Sequence, residues 1–180
     1  MSRETTVAGR EVTMYHLKPL SQDAIQPALA KAERYRFLNE PAEAESICRD
    51  VLEVDPGHQQ ALVVLLLALT DQFGEHASGA AQEADAILGR LANEYDHAYY
   101  SGIVRERRAK ALLDRGGPGA ASSVFEWLRE AMAWYERAEQ LRPAGNDDAI
   151  LRWNTCARIL MRHPQLEQAG EERPEPQFLE

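Results

Sequence analysis

The stretch AEAESICRDVLEVDP places Ala44, Cys48, Val51 and Pro56 at steps of four, three and five residues, and EAMAWYERAEQLRP places Ala131, Tyr135, Ala138 and Pro143 at the same steps. Steps of four and three keep three side chains on one face of an α-helix. A small residue on that face lets a second helix approach closely, and bulky neighbours interlock around it. The proline then stops the helix. A chain that repeats this unit is constrained to build helical hairpins that cross at alanine contacts.

The rest of the chain fits that constraint. Ser21 is placed to cap a helix over 21–38 whose first turn holds Asp23, a carboxylate suited to the helix dipole. Pro41 disfavours helix in the residue before it and suits a first helical position, which predicts a second helix over 41–54. A third, over 58–73, contains ALVVLLLAL, is apolar nearly all round, and is expected to be the most buried. That run is about half of what a helix needs to cross a bilayer, so membrane insertion is not expected. Further helices are predicted over 80–93, 97–114 and 123–141, with GEHASG and RGGPGAASS as punctuation. A seventh, capped by Asn146, carries Ile150, Trp153, Ala157 and Leu160 on one stripe. The predicted class is all-α, with residues 1–20 an N-terminal arm, 21–162 the helical domain, and 163–180 an acidic, proline-rich tail without structure.

The repeated spacing resembles the tetratricopeptide repeat, a 34-residue helix-turn-helix unit with the pattern W-x2-L-G-x2-Y, then A-x3-F, then P. In the first unit Tyr35 matches the aromatic of helix A, Ala44 the small crossing residue, Cys48 the following large site and Pro56 the terminal proline. Ala28 and Ala32 stand where tryptophan and glycine are usual. The third unit repeats the helix B sites at Ala131, Tyr135, Ala138 and Pro143. The second fits less sharply, with Ala84, Leu88 and Leu91, and Asp96 in place of the proline. Pro56 and Pro143 are 87 residues apart. That is more than two periods, so insertions are expected in the loops around GEHASG and around LLDRGGPGAASS. The resemblance implies a right-handed solenoid of about three helical hairpins closed by a C-terminal capping helix.

It also implies a function. Members of the family are similar in holding an extended peptide or a partner helix in a concave groove formed by their A helices. By repeat position the groove takes Gln26, Glu33, Arg36 and Phe37 from the first unit, and Gln60, Val63, Leu67 and Thr70 from the second; of Tyr99 and Tyr100 at the start of the fifth helix, one is expected in the core and the other, Tyr100, in the groove. The Lys/Asn/Arg clamp that some chaperone-binding members use for a carboxylate is not rebuilt here, because Glu33 and Leu67 occupy its positions. The fifth helix concentrates Arg105, Arg107, Arg108, Lys110 and Arg115. Arg105 and Arg108, three residues apart, share a side and are candidates to receive acidic groups from a partner or from the chain's own tail. The alternative is a solvated face on which Glu106 pairs with Lys110.

Charge and composition narrow the classes. With 20 basic against 29 acidic residues, the net charge of -9 opposes a general nucleic-acid partner. Cys48 and Cys156 are lone thiols, read as reduced core residues. The opening stretch lacks the pattern of an export signal, so a cytoplasmic location is expected. His16, His58, His76, His97 and His163 are scattered without ligand spacing, and no phosphate-cradling loop is present. Glu75 beside His76 is the nearest approach to a polar cluster. No catalytic residue, metal or cofactor is therefore expected. The predicted function is that of a non-catalytic interaction module, an adaptor, scaffold or chaperone-like binder of a protein or peptide. The alternative is a structural subunit that self-associates as a homo-oligomer through the arm and the apolar faces of the third and seventh helices, leaving Phe178 and Leu179 either unstructured or as a docking anchor.

Overall fold

Asn39 shows how the first hairpin closes. It adopts φ 60° just past helix α1 (Ile25–Phe37), and the amides of Asn39 and Glu40 donate back to the carbonyls of Arg36 and Tyr35 at 3.0 and 2.9 Å. That pair of bonds satisfies the orphan carbonyls of a helix end and reverses the chain. Pro41 then occupies the first position of α2 (Pro41–Val54), where its missing N–H costs nothing. A 3-10 turn over Gln22–Ala24 precedes α1, and the Ser21 side chain makes no capping bond, so the first helix starts later than predicted.

The computed structural model describes residues 15–74 and 77–171. After α2 come α3 (Gln59–Asp71), α4 (Ala77–Leu88), α5 (Glu94–Arg115), α6 (Ala120–Leu141), α7 (Asp148–Arg162) and α8 (Gln165–Glu171). Among the described residues every regular element is a helix, and each long helix packs against its neighbours along the chain. In addition α1 touches α3, and α3 touches α5, so these alternate helices lie side by side. No helix is long and apolar enough to cross a membrane among the described residues.

Two apolar cores result. The first gathers α1 to α4 around Leu62, Leu65, Leu66 and Leu69 of α3, with Ala44, Cys48 and Val51 beneath α2, and Val104 of α5 completes it. The second gathers α5 to α8 around Leu128, Ala131, Tyr135 and Ala138 of α6. Both copies of the small-large-small face are therefore buried. Polar bonds repeatedly join residues 33 to 36 positions apart: Arg36 with Asp71, Arg49 with Glu83, Arg90 with the Pro56 carbonyl, Gln59 with the Ala92 amide, and Arg107 with Asp71.

Beyond the start of α1, the structure departs from the predicted helix boundaries and tail as follows. Asn93 caps α5 by accepting the Asp96 amide at 3.1 Å, which starts that helix at Glu94 rather than at 97. Helix α4 runs earlier than predicted and stops at Leu88, leaving Leu91 buried in a turn. Most of the residues expected as a loop insertion in LLDRGGPGAASS instead lengthen α5 and α6 to 22 residues each. The loop shrinks to 116–119, where Gly116, Gly117 and Gly119 all take positive φ and turn the chain in four residues. Finally, residues 165–171 of the expected unstructured tail form α8. Its Leu166 is 2% exposed in the second core, and Gly170 lies so close to the Phe125 ring that a Cβ there would collide with it. The cover over the seventh helix is partial: Ile150 and Trp153 are half-buried, and the Trp153 indole donates to Glu136 at 3.0 Å. Residues 1–14 of the arm and 172–180 of the tail, including Phe178 and Leu179, lie outside the described residues.

Candidate functional site

Because α1, α3 and α5 lie side by side, their outward faces form one groove of about 590 Å³. From α1 it takes Glu33, Arg36 and Phe37; from α3, Gln59, Gln60, Val63, Val64 and Leu67; from α5, Asp96 and Tyr100. Six residues singled out by repeat position, Glu33, Arg36, Phe37, Gln60, Val63 and Leu67, thus line a single depression together with Tyr100. Thr70 lies beneath them, 4% exposed, donating to the Leu67 carbonyl at 2.8 Å. Gln26 is exposed and does not belong to the groove's lining.

The groove is chemically divided. Its centre is apolar: Val63 and Leu67 are half-buried, and Phe37 stands 89% exposed at the rim. An aromatic ring held that far into water on an ordered helix is a ready anchor for another chain. Arg36 donates to Asp71 at 2.8 Å, and Arg107 donates to Asp71 from the other side, to the Leu67 carbonyl at 3.2 Å and to Thr70 Oγ1 at 2.7 Å. One carboxylate is therefore shared by two guanidinium groups. Burial pushes the Arg107 pKa down and Asp71 opposes that shift, while the nearby Arg36 and Arg152 charges add to it. Arginine nevertheless keeps its proton at neutral pH, so the Arg36–Asp71–Arg107 cluster has one cation more than anion, beside a lining that also carries the carboxyls of Glu33 and Asp96. Elsewhere in the groove, Glu33 accepts from Gln60 at 3.2 Å. Burial raises the Asp96 pKa above its ordinary value. Burial, reinforced by Asp96, also lifts the Tyr100 hydroxyl to about 12.

Arg105 and Arg108 sit elsewhere. Both turn toward α4, where Asp85 accepts from Arg105 at 2.9 Å and from Arg108 at 2.6 Å. Arg105 also pairs with Glu130 of α6 at 3.1 Å. Two arginines expected to meet a partner's acids are thus already engaged by the chain's own. Lys110 does pair with Glu106, but that carboxylate is fully buried rather than part of a solvated face. Glu106 also accepts from the Tyr135 hydroxyl at 2.6 Å and from Arg152 at 3.3 Å. Three donors from α5, α6 and α7 thereby meet one buried charge, which satisfies it.

Sequence reasoning named Arg107 only as one of the basic residues of the fifth helix and singled out none of Asp71, Asp96 and Gln59 as site residues. Arg36, Asp71 and Arg107 stand 35 and 36 residues apart, a spacing close to the one that placed the groove residues. The histidines have local roles: His58 accepts the Ala61 amide at 3.3 Å as the cap of α3, and His97 meets the edge of Trp134. Glu75 and His76 lie outside the described residues. Among the described residues no three His, Cys, Asp or Glu side chains group in a way that could hold a metal ion. Burial lifts the Cys48 and Cys156 thiols to about 12, so both stay protonated at neutral pH and lack the reactivity of a thiolate. Comparison of the chain with protein-family models, with curated proteins and with solved structures finds no match.

Proposed function

We propose that the chain is a non-catalytic interaction module of the tetratricopeptide kind, which holds a segment of a partner protein across α1, α3 and α5. The observation that carries this reading is the groove itself: alternate helices give it an apolar centre, an exposed aromatic rim at Phe37, and Arg36 in its wall, held with Arg107 on Asp71 just outside the lining. Those features favour an extended segment with one apolar anchor and acidic neighbours. Polar bonds at separations of 33 to 36 residues support a repeat close to the 34-residue period. The two buried, protonated thiols fit a reducing compartment such as the cytoplasm.

Panning a random-peptide display library against the full chain tests the reading, with the Phe37→Ala variant as the counter-screen. Phe37 is so exposed that its loss leaves the fold intact. Peptides that bind the parent chain and lose about tenfold or more on the variant, about 1.4 kcal/mol, are the expected result. A library that yields nothing, or only peptides indifferent to Phe37, contradicts it.

A second reading, a self-associating scaffold subunit, draws support from Leu151 at 62% and Met161 at 80% exposure on α7. Light scattering at two concentrations separates the two, since a groove binder stays at monomer mass and a self-associating subunit grows.

A further inference from the structure

A second cavity, of about 310 Å³, opens between α4, α5 and α6, away from the groove. It lies on the seam between the two cores: Phe73 in its wall belongs to the first, while Leu112 and Trp127 pack against the second. Leu112 and Trp127 are half-buried there, so each core leaves apolar surface uncovered where the two meet. Clefts between packed units are favoured places for small ligands. A water takes about 30 Å³ of liquid, so the cavity has room for about ten, the bulk of a compact ligand rather than of a peptide segment.

The charges on the lining are uneven. Asp85 is its one carboxylate among the described residues, and it is already engaged by Arg105 at 2.9 Å and by Arg108 at 2.6 Å. Arg108 also donates to the Ala81 carbonyl at 2.6 Å and lies 5.8 Å from the centre of the Phe73 ring, which fixes its guanidinium at the edge of the apolar wall. Its Nε finds no partner, so that cation is only partly satisfied. Arg115, in the last turn of α5, is exposed and has no ion-pair partner among the described residues. Arg105, Arg107, Arg108 and Lys110 of the same helix are all paired. Two cations and one anion therefore border an apolar cavity, and the cation without a partner is the exposed one.

We infer that the cavity between α4, α5 and α6 is a binding site for a small aromatic carboxylate, its ring among Phe73, Leu112 and Trp127 and its carboxylate paired with Arg115. Offset or edge contacts with the rings of Phe73 and Trp127 suit an aromatic body, and the planar guanidinium fork of arginine matches the two oxygens of a carboxylate. Because Phe73 and Trp127 stand on different cores, a bound ligand ties the two halves together and stabilises the folded chain by mass action. The inference goes beyond the groove reading and does not rest on it, since the two surfaces share no residue.

Titration of the isotope-labelled full chain with 3-phenylpropionate tests the site, with the uncharged amide of the same acid as matched control. The expected result is saturable shifts of the Trp127 indole and of the Ala81 and Leu112 amides, a raised thermal midpoint, and binding of the amide weaker by about tenfold or more. Arg115→Gln, a change at an exposed residue, should bring the acid down to the level of the amide. No saturable shift, equal affinity for acid and amide, an Arg115→Gln chain that still prefers the acid, or shifts centred on α1 and α3 overturns the inference. The peptide screen on Phe37 is untouched by any of these results, so the two readings fail separately.

Discussion

The two halves of the molecule solve the same packing problem with different chemistry. In α1 to α4 the core is hydrocarbon, dominated by leucines of α3, and the ion pairs Arg36–Asp71, Arg49–Glu45 and Arg49–Glu83 stay at the margin. In α5 to α8 the same small-large-small face is present, but its large residue is Tyr135, whose hydroxyl donates to the buried Glu106. Gly102 of α5 lies directly against the Tyr135 ring, where any Cβ would collide with it. A hydrocarbon core tolerates small shifts between helices. A buried carboxylate fed by Lys110, Tyr135 and Arg152 does not, because sliding α5, α6 or α7 would strand a charge. The groove therefore rests mainly on the apolar stacking of α1 and α3 and ends on Asp96 and Tyr100 of α5, while the rest of the C-terminal half is pinned in one register.

The sharpest way to break this contrast is Glu106→Ala. It leaves the Tyr135 hydroxyl buried without a partner and removes the common acceptor of two cations, with an expected cost of about 3–5 kcal/mol in urea unfolding. Amide exchange should accelerate more in α5 to α7 than in α1 to α3, and an even acceleration would dissolve the distinction between the halves. Next in size, Ala44→Leu and Ala131→Leu should each cost about 1–3 kcal/mol by overpacking the helix crossings, read as a fall in thermal midpoint. An unmoved midpoint at either site would remove that alanine from the crossing.

Smaller effects probe the surface charges. Burial tends to raise the Asp85 pKa, but hydrogen bonds from Arg108 and Arg105 outweigh it and hold the carboxyl below its ordinary value. A depressed folded pKa means stability that is present above the unfolded value, about 3.9, and lost as pH falls through the folded one. Asp85→Asn should therefore flatten part of the acid limb of a stability–pH curve, and an identical limb would contradict the pairing. The smallest effect is expected from Asp71→Asn. Arg36 and Arg107 remain partly hydrated, so the loss should stay below about 1 kcal/mol and shrink further in high salt.

Some of this organisation was legible in the residues and some was not, for physical reasons. The bounds 41–54 coincide with α2 because Pro41 starts the helix and the segment before Pro56 stops it, both local effects. Positions on α1 and α3 fell into one groove because a fixed period carries each residue to the equivalent place in the next hairpin. Arg105 and Arg108 show the limit. Three-residue spacing places them on one face but does not say which way the face turns, and Asp85, which covers them, lies 20 and 23 residues earlier in the chain. The glycine-rich stretch read as a long insertion because glycine signals a break without giving its length, and four residues sufficed. Leu166 was hidden for a related reason: one apolar anchor among acids and a proline looks like tail until Gly170 lets the short helix settle on Phe125.

The claim that α1, α3 and α5 together form the working surface is tested most directly by mapping amide shifts of the full chain on titration with a display-selected peptide. The account predicts perturbations at Glu33 to Phe37, Gln60 to Leu67 and Asp96 to Tyr100, reduced by Phe37→Ala. Perturbations confined to α2, α6 or α7, with those three segments unmoved, would contradict it.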